Sequence, residues 1–165
     1  MNSFGRIIDI LLLCMMLFIV PLEYMAYKED CVMQSAISTQ TSLFTDTIRN
    51  KGYVDRQAYK EFIKWLEESG TVYDVCITHY KKIYTYDDVS DTEVMSYELC
   101  PDDAVKEAIY GEEGMYTMGM GDFVSVSVKN TGDTLAQKIS GSITGNSDAQ
   151  GIDVIYGGVI RDETY

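Results

Sequence analysis

The chain has 165 residues and a formal net charge of −13, with 26 acidic against 13 basic side chains. An acid excess of this size repels phosphate backbones and anionic headgroups, so nucleic acid is excluded as a partner of the polar part. Four cysteines without a CxxC pair, and one histidine, give no metal-binding framework, and no cofactor motif is present.

The first element is Ile7 to Tyr27, IIDILLLCMMLFIVPLEYMAY, whose apolar run from Ile10 to Leu22 is interrupted only by Pro21. It has about the 20 residues that a helix needs to cross a bilayer, and in hydrocarbon such a segment must be helical. A cleaved secretory signal would want a more basic start than Arg6 alone, and smaller residues than Tyr24-Met25-Ala26 at the cut. A lipid on Cys14 would want a small neighbour where Leu13 stands, and a buried core helix is the remaining alternative. The expectation is a retained anchor over residues 1–27, touching membrane lipid through residues 7–27, ahead of one domain over residues 28–165. Arg6 before the segment, with Glu23, Glu29 and Asp30 against Lys28 at or beyond its polar end, favours a cytoplasmic N-terminus. That places the following domain outside the cell membrane, on a single-pass anchor.

The helical pattern continues past the anchor. Met33, Ile37, Phe44 and Ile48 share a stripe that Val32, Ala36 and Leu43 widen, and Gly52 supplies the stop. The spacing predicts one helix from about Phe4 to Asn50, kinked at Pro21. A second helix has Asp55 as N-cap, with Tyr59, Phe62, Ile63 and Leu66 on its inner face, and ends at Ser69-Gly70.

From Tyr73 the period becomes two, with Tyr73, Val75, Ile77 and His79 on one face of a strand. His79 is then a half-exposed strand end. Asp87 to Leu99 is polar and acidic and reads as an excursion from the sheet. Ten acids and one base, Lys106, fall between Asp87 and Glu113, but without EF-hand spacing they read as a solvated face rather than a calcium site. Pro101-Asp102-Asp103 opens a short helix that Gly111 closes. Phe123 to Lys129, FVSVSVK, is a strand with its valines inward, followed by a turn at Asn130-Thr131-Gly132-Asp133. Thr134 to Thr144 fits a strand or a short helix. A last strand runs from Gly151 to Arg161, with a bulge expected at Gly157-Gly158.

Of the cysteines, Cys14 lies in the anchor, and Cys31, Cys76 and Cys100 lie beyond it. A disulfide between Cys76 and Cys100 is expected if the domain reaches an oxidising face, which leaves Cys31 unpaired. Asp9 is an acid inside an apolar run, either pairing with Arg6 three residues earlier or serving assembly.

The fold class expected is α+β, a long N-terminal helix on a small antiparallel sheet. With the anchor, the strings FTDTIRNKGYVDRQAYKEFIKWLEESG and YDVCITHYKKIY, then Tyr116-Thr117-Met118 and GDFVSVSVKN, resemble type IV pilins and pseudopilins. More closely, the chain resembles the small pilin-related proteins of tight-adherence (Tad-type) pilus systems of Gram-positive bacteria. The resemblance implies a structural, non-enzymatic subunit whose partners are other pilin-like subunits or assembly proteins, with Asp9 as the assembly acid. The chain departs from the processed pilin pattern in three places. Gly5 is followed by Arg6 after a leader without Lys or Arg, Asp9 falls one residue before the usual acid, and Pro21 comes early. The alternatives are an anchored extracellular binding or sensor module and an anchored hydrolase; the latter lacks a G-x-S-x-G elbow and an H-E-x-x-H helix.

Overall fold

The computed structural model describes residues 3–87, 92–144 and 151–161. It begins with α1 (Ser3–Lys51), a single helix of 49 residues, which at 1.5 Å per residue is about 73 Å long. Pro21 stands inside α1 without ending it. The stop is Gly52: its N–H makes the last helical bond, to the Ile48 carbonyl at 2.8 Å, and its positive φ of 72° turns the chain out of the helix.

A short strand, β1 (Tyr53–Asp55), leads into α2 (Arg56–Glu67). The Asp55 carboxylate accepts the Ala58 N–H at 2.6 Å, the N-cap bond its position promised. Two longer strands follow, β2 (Tyr73–Asp87) and β3 (Thr92–Cys100), then α3 (Asp102–Tyr110) and β4 (Met115–Thr117). The chain continues through β5 (Phe123–Asn130), α4 (Leu135–Thr144) and β6 (Asp153–Val159). All strand pairs are antiparallel; β1 pairs with β4, and the main sheet has the order β3-β2-β5-β6. The architecture is the expected α+β, a long N-terminal helix packed on small antiparallel sheets.

One face of the main sheet makes the core. Val75 and Ile77 of β2, and Val124, Val126 and Val128 of β5, meet Ile37, Phe44 and Ile48 of α1. Phe44 stacks on Phe62 of α2, ring centroids 4.4 Å apart and planes within 2°. Val105 and Ile109 seat α3 against the same core. Each of these side chains contributes roughly 1.5–3 kcal/mol by leaving water. Two members of the sequence stripe fall outside it: Val32 and Leu43 are exposed, and Thr41 and Thr45 take inward positions instead. The Thr45 hydroxyl donates to the Thr41 carbonyl at 2.7 Å.

Four expectations are corrected. Asp87–Leu99 is not an excursion, because β3 pairs with β2 from Asp87↔Thr92 to His79↔Cys100. Glu93 and Glu98 sit on an edge strand where both stay in water, so acid is compatible with pairing there, and the Val, Tyr and Leu of the segment carry the strand preference. Residues 88–91 of the acidic run lie outside the described residues. The bulge at Gly157-Gly158 is absent, since the β5–β6 register runs unbroken from Phe123↔Val159 to Lys129↔Asp153. The glycines serve close approach: a Cβ at Gly157 would lie 2.8 Å from the Val124 carbonyl oxygen, and one at Gly158 would lie 2.5 Å from the Arg49 guanidinium.

The third correction concerns the cysteines. Cys76 and Cys100 are both free thiols. Cys100 stands opposite His79, on the core side of the sheet, whereas Cys76 is three residues earlier on β2 and points to the other side. Strand alternation alone turns the two Cβ vectors apart, and a disulfide needs them facing. The fourth concerns Arg6 and Asp9, which do not pair: the ion pairs among the described residues are Arg49–Asp46, His79–Asp122 and Lys106–Asp102.

Candidate functional site: an uncovered apolar helix and a buried histidine

From Phe4 to Phe18 every residue of α1 is exposed, including Ile7, Leu13, Met16 and Leu17. Burial begins with Ala26 and becomes regular from Ile37. The same continuous helix is therefore a core element at one end and an apolar rod without cover at the other. Residues 4–25 span about 33 Å at helical rise, against roughly 30 Å for the hydrocarbon of a bilayer. One helix near the N-terminus is thus long and apolar enough to cross a membrane. Asp9 and Cys14 lie on this exposed rod, and Cys31 is exposed just beyond it.

The second feature is His79, which is not the half-exposed strand end expected but is 3% exposed. It faces inward because β2 continues its core face, Tyr73, Val75, Ile77, through this position. Its Nε2 lies 2.9 Å from Asp122 Oδ2, and its Nδ1 lies 2.8 Å from the Tyr116 hydroxyl. An ionised carboxylate only accepts, so Nε2 carries the proton; in the neutral ring, Nδ1 then accepts from the Tyr116 O–H.

Asp122, just before β5, is also buried. Its Oδ1 accepts the Lys82 backbone N–H at 2.8 Å, and its Oδ2 accepts the Gly119 N–H at 2.7 Å besides the imidazole. Burial by itself pushes this acid up, but the Lys82 N–H, His79 and the Gly119 N–H together hold it below the usual carboxylate value. Tyr116 is held well above the ordinary phenol range, first by burial and then by the Cys100 side chain beside it.

Cys100, Tyr116, His79 and Asp122 thus form a chain of contacts linking β3, β4, β2 and the turn before β5. Both ring nitrogens are committed to protein groups, so the imidazole itself holds three segments together and has no free nitrogen for a substrate. Sequence reasoning singled out His79 without its partners, which lie 37 and 43 residues away. Among the described residues, no three His, Cys, Asp or Glu side chains converge as a metal site. A groove of about 510 Å³, open to solvent, lies between α1 and β6 and is lined by Ser35, Ser38 and Asp153 among others. Compared with family models, with curated proteins and with solved structures, the chain matches none.

Proposed function

We propose that this protein is a membrane-anchored structural subunit, minor pilin-like or pseudopilin-like, of a bacterial surface pilus or secretion assembly. The observation that carries the reading is the division of α1: an exposed apolar half and a core-forming half in one unbroken helix. Exposed Ile, Leu, Met and Phe side chains each forgo roughly 1.5–3 kcal/mol of burial, so the rod needs lipid or the rods of neighbouring subunits. The rigid continuation into the core transmits whatever holds the rod directly to the outer domain. The buried histidine supports a structural rather than a catalytic role, since its nitrogens are spent on Tyr116 and Asp122.

In this reading the N-terminus is cytoplasmic, the domain over residues 28–165 is outside, and Asp9 registers subunits inside the membrane. Exposure of Asp9 without Arg6 as partner favours that role, because an acid in an apolar run calls for one. Alkaline phosphatase fused after Tyr165 should be active, and an inactive fusion at normal expression reverses the orientation. Asp9→Ala should insert and fold but be absent from sheared filaments and crosslinked complexes. Normal crosslinking by that variant reduces the anchor to a tether and favours the sensor module.

A further inference from the structure

β2 pairs with β5 only as far as Tyr80, but with β3 as far as Asp87. Seven residues of β2 and their β3 partners therefore leave the four-stranded sheet as a two-stranded ribbon, about 23 Å long at strand rise. Its direction follows from register. The Tyr73 end of β2 aligns through β5 with Asp153, beside Ser35 and Ser38 of α1. The Tyr80 end aligns with Val159, whose carbonyl accepts from Arg49 at the far end of α1. The ribbon points away from the apolar rod.

Two features of it have no cover. On the side opposite the core, Met95 and Tyr97 are exposed beside Tyr84, over whose ring Lys82 Nζ lies at 5.0 Å, and Leu99 extends the patch just below the root of the ribbon. β3 is also the last strand of the sheet, so one row of its N–H and C=O groups faces outward. β3 itself carries Glu93 and Glu98, both exposed, and no cation; Lys81 of β2 stands opposite Glu98 without forming an ion pair among the described residues. A second copy would set two like-charged edges side by side, whereas a cationic strand would neutralise the edge and cover the aromatic side.

We propose that the free edge of β3 takes an extended basic segment of a partner polypeptide as an added strand. The main chain of the segment completes the β3 ladder, as in strand addition generally. Cations opposite Glu93 and Glu98 stand five residues apart, one on each face, and apolar residues lie over Met95, Tyr97 and Leu99. This surface is independent of whether α1 lies in lipid.

The test uses the full chain in phosphatidylcholine nanodiscs and a fluorescein-labelled peptide, TVKVTVTKT, whose lysines match that spacing. Anisotropy should show saturable binding, with the glutamate analogue TVEVTVTET and the proline-broken TVKPTPTKT each at least tenfold weaker. Tyr97→Ala should weaken the lysine peptide about tenfold, and Glu93→Lys with Glu98→Lys should reverse the preference between the charged peptides. All three side chains are exposed, so these variants keep the fold. Equal binding of the proline-broken peptide would overturn strand addition in favour of a diffuse charge effect. Absence of lysine-peptide binding overturns the proposal, whether the edge stays open or closes in a concentration-dependent dimer.

Discussion

Asp122→Asn tests the logic of the buried network most directly. The carboxylate offers two acceptor oxygens to three donors: Lys82 N–H on one, Gly119 N–H and His79 Nε2 on the other. An asparagine has one such oxygen, and its NH₂ would confront an N–H. If the amide oxygen serves Gly119 and His79, the Lys82 N–H is orphaned; in the other orientation two donors are. A buried unsatisfied donor costs about 1–3 kcal/mol, and the surviving bonds lose their charge assistance, so the variant should be about 3 kcal/mol less stable. The folded-state acid sits below its ordinary value of 3.8. The carboxylate therefore contributes its full stabilisation above that pH, and the contribution is lost as pH falls through the folded value. Equilibrium denaturation of the full chain in nanodiscs, followed by Trp65 (the single tryptophan), should give a constant gap above about pH 5 that closes below about pH 4. Repeating the titration in a His79→Gln background separates the carboxylate's contribution from that of its ring partner. A gap under 1 kcal/mol, or one that persists unchanged at pH 2, would refute this account of Asp122.

Four further outcomes are expected. Phe44→Ala removes a buried ring stacked on Phe62 and should cost roughly 3–5 kcal/mol, whereas Leu17→Ala, on the exposed rod, should leave the domain within about 0.5 kcal/mol; similar costs in chemical denaturation would contradict the division of α1. Thr41→Val deletes a buried hydroxyl that has no partner among the described residues and should raise stability by about 1 kcal/mol, measured in the same way. Gly157→Ala drives a Cβ against the Val124 carbonyl and the Phe123 ring and should lower thermal stability by about 1–3 kcal/mol; a neutral result would show that β5 and β6 can part without loss. Tyr116→Phe takes the donor from His79 Nδ1, and hydrogen exchange should accelerate in the β2–β3 ribbon more than in the core half of α1.

The long helix, the Asp55 cap and the valine strand were legible because each rests on local chemistry. So was α4, had its cap been read: Thr134 and Gln137 exchange side-chain bonds, the Gln137 N–H to the Thr134 hydroxyl and the Thr134 N–H to the Gln137 amide oxygen. That reciprocal pair is the capping box, and T-L-A-Q is its signature. β3 was misread because charge was weighed above alternation, although acids on an edge strand cost little. Gly157-Gly158 announced that something approaches closely, but only the fold shows that Val124 and Arg49 are what approach. Thr41 and Thr45 entered the core in place of Val32 and Leu43 because the sheet selects the face, and a stripe drawn by hydrophobicity alone cannot know its angle. The partners of His79 carry no local signal at all.

Position gives that histidine its significance. Tyr80 is the last β2 residue paired to β5, and Lys82, just past it, gives its N–H to Asp122 instead of to a strand. His79 and Cys100 face each other at the root of the ribbon, and Tyr116 contacts both. An isolated two-stranded ribbon is marginal in water, so whatever fixes its orientation must act at its root. The carboxylate takes over the pairing that β5 abandons, the imidazole ties it to β2, and the phenol ties both to β4 and β3. A ribbon held in this way presents its open edge in one orientation, and an edge already ordered costs an incoming strand less entropy than one that must first be assembled. The buried polar groups and the exposed edge are two ends of one device. Loosening the network at Asp122 or Tyr116 should weaken strand addition even though neither residue lies on the docking strand.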